Sequence, residues 1–205
     1  MINVIQTLRR GSRGDAVKQV QRALHLYEDG IFGPLTEEAV KELQRHAGIK
    51  ADGIVGPATW ALISGESLKK SSRRITEIIV HCSATPEGRD FTVADITRWH
   101  KERGFSTIGY HYVVYRDGSV REGRNINIAG AHCTGHNSNS IGICYIGGTD
   151  ANGKAKDTRT IAQVSALRTL INKLRALYPG AKVYGHRDFA RKDCPCFDAR
   201  KEYGS

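Results

Sequence analysis

The 205-residue sequence predicts an α/β domain, a mixed central sheet flanked by helices, preceded by a small all-α domain of three helices. Three observations carry this. Apolar, strand-type runs recur around 75–82, 110–115, 141–146 and 182–185 with helix-type runs between them, the alternation expected of a sheet covered by helices. Near the start, Asp29-Gly30-Ile31-Phe32-Gly33-Pro34-Leu35-Thr36 returns as Asp52-Gly53-Ile54-Val55-Gly56-Pro57-Ala58-Thr59, each copy feeding a helix-compatible run with proline in its first turn. A hydrophobic content of 40% is ample for packed cores, whereas no apolar run approaches the ~20 residues needed to cross a bilayer.

Taken in order, Asp15 is placed to cap a first helix whose apolar face is Ala16, Val17, Val20, Ala23 and Leu24. Ala39, Val40, Leu43 and Ala47 give a second such face, and the third helix ends near Ile63. Two copies of the repeat are too few for a solenoid, so residues 1–63 form a compact domain with internal duplication. Residues 64–74, rich in Ser, Lys and Arg, read as a linker whose basic residues are solvated. The second domain, 75–205, opens with the strand from Ile75 to Cys82. Thr92 with Asp95 makes a capping box for a helix through Arg103, stopped by Gly104. Tyr110 to Tyr115, then Asp117-Gly118, then Val120 to Glu122 is a hairpin signal. A strand over Ile141 to Ile146 follows. Thr160 with Gln163 then starts a long helix in which Val164, Leu167, Leu170, Ile171, Leu174 and Leu177 share a face, and Lys182 to Gly185 is a last short strand.

The formal charge of +10 favours polyanionic surroundings, among them wall polymers and lipid headgroups. No groove-reading helix or aromatic stacking platform accompanies it, so specific nucleic-acid binding is not predicted. Five cysteines, an odd number, argue against a disulfide framework. Cys82 and Cys144 alternate with apolar residues and read as small buried hydrophobes; a Cys133–Cys196 bridge is left open.

Chemistry enters where strands end. His81 closes the first strand run, and His186 and Cys194 flank a loop that carries Lys192. Two imidazoles and a thiolate with one position left for water make a hydrolytic zinc site. Cys196 is the residue able to close that site as a fourth ligand. Lys192 is placed to stabilise an oxyanion, and Tyr110, after Gly109, to orient the water or share in proton transfer. Read singly, His81 is a hydrogen-bonded structural histidine, Lys192 a surface lysine and Tyr110 a core aromatic.

Two resemblances make this specific. Leu8 to Val17 with both Asp-Gly-Ile-x-Gly-Pro-x-Thr copies and Trp60 resembles the small helical peptidoglycan-binding domain, with a departure in the short connection His25-Leu26-Tyr27-Glu28. Val80-His81-Cys82-Ser83-Ala84-Thr85, Trp99-His100-Lys101, Gly109-Tyr110-His111-Tyr112, Asn137 to Gly142, and His186 through Asp198 resemble the zinc N-acetylmuramoyl-L-alanine amidases of the phage-lysozyme type, which share their fold with peptidoglycan recognition proteins. That likeness implies one Zn2+ on His81, His186 and Cys194, catalytic assistance from Tyr110 and Lys192, and cleavage between the muramoyl lactyl group and L-alanine. His132 and Asn137 match positions along the substrate groove. Asp193 stands where the family has a small residue and is placed to pair with Lys192. The expected protein is a monomeric endolysin with peptidoglycan as partner. No signal-peptide pattern opens the chain, so the expectation is synthesis in the cytoplasm and action on the wall after release.

Overall fold

The computed structural model describes residues 6–24, 26–63 and 68–204, and the chain divides into two compact units, Met1–Ser67 and Leu68–Ser205. His25 and residues 64–67 of the stretch read as a linker lie outside the described residues.

In the first unit, α1 (Asp15–Ala23), α2 (Pro34–His46) and α3 (Pro57–Ile63) enclose Leu8, Val17, Val20, Phe32, Val40 and Val55. Asp15 does not cap α1. Gly14 holds the cap position at φ 110 with no side-chain bond, so Asp15 falls inside the first turn, where its charge suits the helix N-terminus. Ala23 is exposed, and the buried stripe turns instead through Gln21. That glutamine explains the repeat. Its Nε2 donates to Asp29 Oδ1 (2.7 Å), Ile31 O (3.1 Å) and Thr36 Oγ1 (3.2 Å), and its Oε1 accepts from Gly30 N at 2.9 Å. Gln44 repeats the pattern with Asp52, Ile54, Thr59 and Gly53. Each Asp-Gly-Ile-x-Gly-Pro-x-Thr loop is thus wrapped around one buried amide, and Gly30 and Gly53 turn at φ 72 and 73. Gln44→Ala should strand several buried partners and lower this unit's stability by about 2–3 kcal/mol, readable as a depressed melting transition.

The second unit is built on a five-stranded sheet in the order β4-β3-β5-β1-β7. Strands β1 (Glu77–Cys82), β3 (Tyr112–Val114), β5 (Ser140–Tyr145) and β7 (Lys182–Gly185) are parallel, and β4 (Val120–Glu122) pairs antiparallel with β3 across the Asp117-Gly118 turn. A small pair, β2 (Thr85–Pro86) with β6 (Gly148–Thr149), lies outside it. Both faces are covered, as parallel strands require. Ile78, Val80, Ile141, Ile143 and Tyr145 pack with α5 (Ile161–Leu177); Val113, Cys144 and Ile146 pack with Ile96 of α4 (Val93–Glu102). Both predicted capping boxes are formed. Strand alternation therefore puts His81 on the face opposite Val80 and Cys82.

A short α6 (Ala199–Tyr203) has no counterpart in the sequence reading. Arg159 ties it down: its guanidinium bonds Asp157 and Glu202 and lies 3.3 Å over the Phe197 ring. In the stretch read as linker, Leu68 packs on the second unit's core, and Ser71 donates from Oγ to Ile126 O at 2.8 Å. Arg73 donates to the carbonyls of Ile126, Asn137, Ser138 and Ser140 and meets His111 Nε2 at 3.1 Å. This side chain binds loops together rather than merely holding water.

Candidate metal centre

His81 is the penultimate residue of β1, at the carboxyl end of the parallel strands, and is fully buried. The neighbouring β7 ends at Gly185, and the chain turns at once through a single 3-10 turn, His186–Asp188, whose Asp188 Oδ2 accepts from Gly185 N at 2.8 Å. A side chain at 185 would strike the Pro195 ring, so glycine lets the following loop fold back. Arg187 N donates to Cys194 O at 2.7 Å and Tyr145 Oη to Pro195 O at 2.7 Å, which closes that loop over the sheet end.

The result brings one donor atom each from His81, His186 and Cys194 within 4.8 Å of one another. Cys194 Sγ stands 3.8 Å from His81 Nδ1. Zinc bonds of ~2.0 Å to nitrogen and ~2.3 Å to sulfur at a tetrahedral angle separate such atoms by about 3.6 Å. The donor set therefore fits a divalent, zinc-type ion. Cys196 does not complete it: its Sγ donates to Gly148 O at 3.1 Å and lies 3.8 Å from Cys82 Sγ. All five thiols are free. Cys133 makes no bridge with Cys196, whose thiol neighbour is Cys82. Cys82 and Cys144 are buried as expected, and Cys82 adds a backbone N–H donated to Cys194 Sγ at 3.3 Å.

The cluster opens into a cleft of about 440 Å³ lined by Trp99, Arg103, Tyr110, His132, Asn137 and Lys192, among others. The Tyr110 ring sits 5.1 Å from that of His81. Its backbone is pinned by Gly109, which donates to His100 Nδ1 at 2.9 Å and approaches Ala131 too closely for any side chain. Burial raises the Tyr110 hydroxyl well above its ordinary range, so it keeps its proton and acts as a donor. Lys192 is exposed at the rim, and among the described residues no ion pair joins it to Asp193. Its charge adds to burial in lowering His186 and His81, which favours the neutral imidazoles that a metal requires.

His132 and Asn137 both line the cleft, yet both ring nitrogens of His132 and the Oδ1 of Asn137 already face protein partners. Asn137 Oδ1 accepts from the backbone N–H of His132 (2.8 Å) and of Cys133 (3.0 Å), which shapes the loop. His132 Nδ1 lies 3.0 Å from His81 Nε2, and its Nε2 3.3 Å from Ser140 Oγ. Burial, with repulsion from His111 and His186, pushes His132 down to about 3, and burial pushes His111 to about 4. Both imidazoles are neutral when folded and protonate more readily when unfolded. Their contribution is intact above the ordinary imidazole value of ~6.5, erodes as pH falls below it, and is gone at about 4 for His111 and about 3 for His132. The metal-free protein should accordingly melt at a progressively lower temperature from pH 7 to pH 4.

Sequence reasoning gave no individual role to His100, His111 or Arg73. The signal for the first two was their place beside Trp99 and Tyr110; Arg73 offered none.

Comparison with known proteins follows the same division. The family described as N-acetylmuramoyl-L-alanine amidase matches residues 71–197, and one described as a peptidoglycan binding domain matches 13–63. An endolysin of Klebsiella phage KP32 is 44% identical over 126 residues, 62% of this chain and 83% of that one. The endolysin of Escherichia phage T7 is 44% identical over 124 residues, 60% of this chain and 82% of that one. Among solved structures, the N-acetylmuramoyl-L-alanine amidase LysC from Clostridium intestinale URNW aligns with a TM-score of 0.54 at 27% identity, covering 63% of this chain and 82% of that one.

Proposed function

The chain belongs to the N-acetylmuramoyl-L-alanine amidase family, whose match covers more than half of it, and from that premise we propose that it works as a two-part phage endolysin on a zinc centre. The amidase hydrolyses the amide between N-acetylmuramic acid and the L-alanine of the stem peptide. Water adds across that bond, leaving a carboxylate on the lactyl group and an amine on alanine. The observation that carries the reading is the gathering of His81, His186 and Cys194 beside a cleft that Tyr110 and Lys192 help to line.

A zinc ion on those three donors would supply Lewis acidity and acidify a water molecule. The side chains do the rest. Lys192 extends an ammonium toward the carbonyl oxygen of the scissile amide, where negative charge develops. Tyr110 holds a proton beside the reacting atoms, available to the departing nitrogen. Asn137 keeps the 132–137 loop in shape as a wall of the substrate cleft. The first unit, matched by a peptidoglycan-binding family, keeps the enzyme on its substrate. The excess of basic residues supports added attraction to anionic wall polymers or membrane surfaces. We place the action at the cell wall, as the name endolysin of the phage relatives suggests, and take the working form as a monomer.

Mass spectrometry of digested peptidoglycan tests this. Intact stem peptides with a free alanine amine, beside uncut glycan whose muramoyl lactyl groups carry free carboxylates, are the expected products. New reducing sugars in their place would indicate a glycosidase and overturn the assignment.

A further inference from the structure

We propose that His132 is a positioning residue of the metal centre, which through its Nδ1 fixes the tautomer and orientation of His81. The inference rests on the reading of His81, His186 and Cys194 as metal ligands.

With His81 Nδ1 as the ligand atom, the contacts leave one arrangement of protons. His81 turns Nδ1 toward Cys194 Sγ, 3.8 Å away, so its lone pair faces the cluster only if the ring proton sits on Nε2. That nitrogen meets His132 Nδ1 at 3.0 Å, and among the described residues no other hydrogen-bond partner reaches it. His132 must therefore accept at Nδ1 and carry its own proton on Nε2, which points at Ser140 Oγ at 3.3 Å. Ser140 is fully buried, and its carbonyl takes an Arg73 N–H at 3.0 Å. A line of groups thus runs from the cluster through His81 and His132 into the interior.

The fold also builds a seat for the ring. A Cβ added at Gly130 or at Gly142 would collide with the His132 imidazole, so two glycines leave space for it. Its backbone N–H is held at 2.8 Å by Asn137 Oδ1. A groove residue waiting for substrate has no need of a fitted slot or of both ring nitrogens engaged. A ligand imidazole does need a partner on its far nitrogen to set its direction, and loss of such partners elsewhere costs about 10–100-fold in metal affinity.

The test is zinc competition against a chromophoric chelator on the full chain, with folding checked by thermal melting of the metal-free form. His132→Ala should bind zinc about 10–100-fold more weakly than the parent. His132→Asn, which places an amide oxygen near the lost Nδ1, should recover affinity to within about threefold. Nitrogen-15 NMR of the metal-free protein should show His81 protonated at Nε2, and a mixture of tautomers in His132→Ala. Parental zinc affinity in His132→Ala, or a parent His81 protonated at Nδ1, overturns the proposal and leaves the three-ligand reading standing. A parent that binds no zinc overturns both. Should the alanine variant not fold, the asparagine variant and the parent spectrum decide: an asparagine variant as weak as expected for alanine, or the wrong tautomer, counts against it.

Discussion

Cys194→Ser is expected to abolish wall lysis and to release zinc from the catalytic unit. Serine keeps the shape but replaces a soft thiolate with a hydroxyl that does not ionise near neutrality, and zinc favours sulfur at such positions. The rest of the loop should survive, because it is fastened by main-chain groups: Cys194 O still accepts from Arg187 N, and Pro195 O from Tyr145 Oη. Affinity for zinc should fall by more than about 100-fold, beyond the range typical of losing an outer partner. Metal content after dialysis against a chelator, with turnover of the same samples, reads this. Exhaustive chelation of the parent should silence it equally, and added zinc should restore it. Full turnover without metal would end the zinc mechanism, and a serine variant that keeps stoichiometric zinc would remove Cys194 from the ligand set.

Lys192→Ala should separate chemistry from metal binding. The ammonium lines the rim and belongs to no donor cluster, so the variant should hold zinc like the parent. Turnover should nevertheless drop about 100–1000-fold, the usual cost of losing one donor to a developing oxyanion, with KM changed far less. The neighbouring Asp193 does not occupy the lysine in an ion pair, so no compensating carboxylate is freed by the substitution. Stopped assays on soluble muropeptides, run beside zinc titration, make the comparison. Metal loss matching that of Cys194→Ser would mean that the lysine had been given the wrong role.

Much of this arrangement was legible in the sequence, for identifiable reasons. Strand runs bounded by turn residues gave the sheet, and capping boxes at Thr92 and Thr160 gave helix starts, because both signals are local. A histidine at the end of an apolar run and a His-to-Cys loop pointed to the groups that converge in the cleft. What stayed hidden depends on contacts between distant segments. Gln21 and Gln44 are polar, so a search for apolar periodicity passes over them, and their partners exist only once each loop has wrapped back. The five-residue α6 is too short to show a helical period. His132 matched a groove position in sequence, while its hydrogen bond to His81 spans 51 residues and exists only once distant segments have met. A Cys133–Cys196 bridge stayed open in the sequence because both lie near the site; the fold sends the Cys196 sulfur toward Cys82.

Arg73 bears on how the protein can be cut and recombined. A chimera spliced at Ile75, where the first strand run begins, would discard a guanidinium whose acceptors include the carbonyls of Asn137, Ser138 and Ser140, the segment that buttresses the His132 ring. A graft that keeps everything from Leu68 onward retains this brace, and should give a transplantable amidase where the shorter graft yields a crippled one.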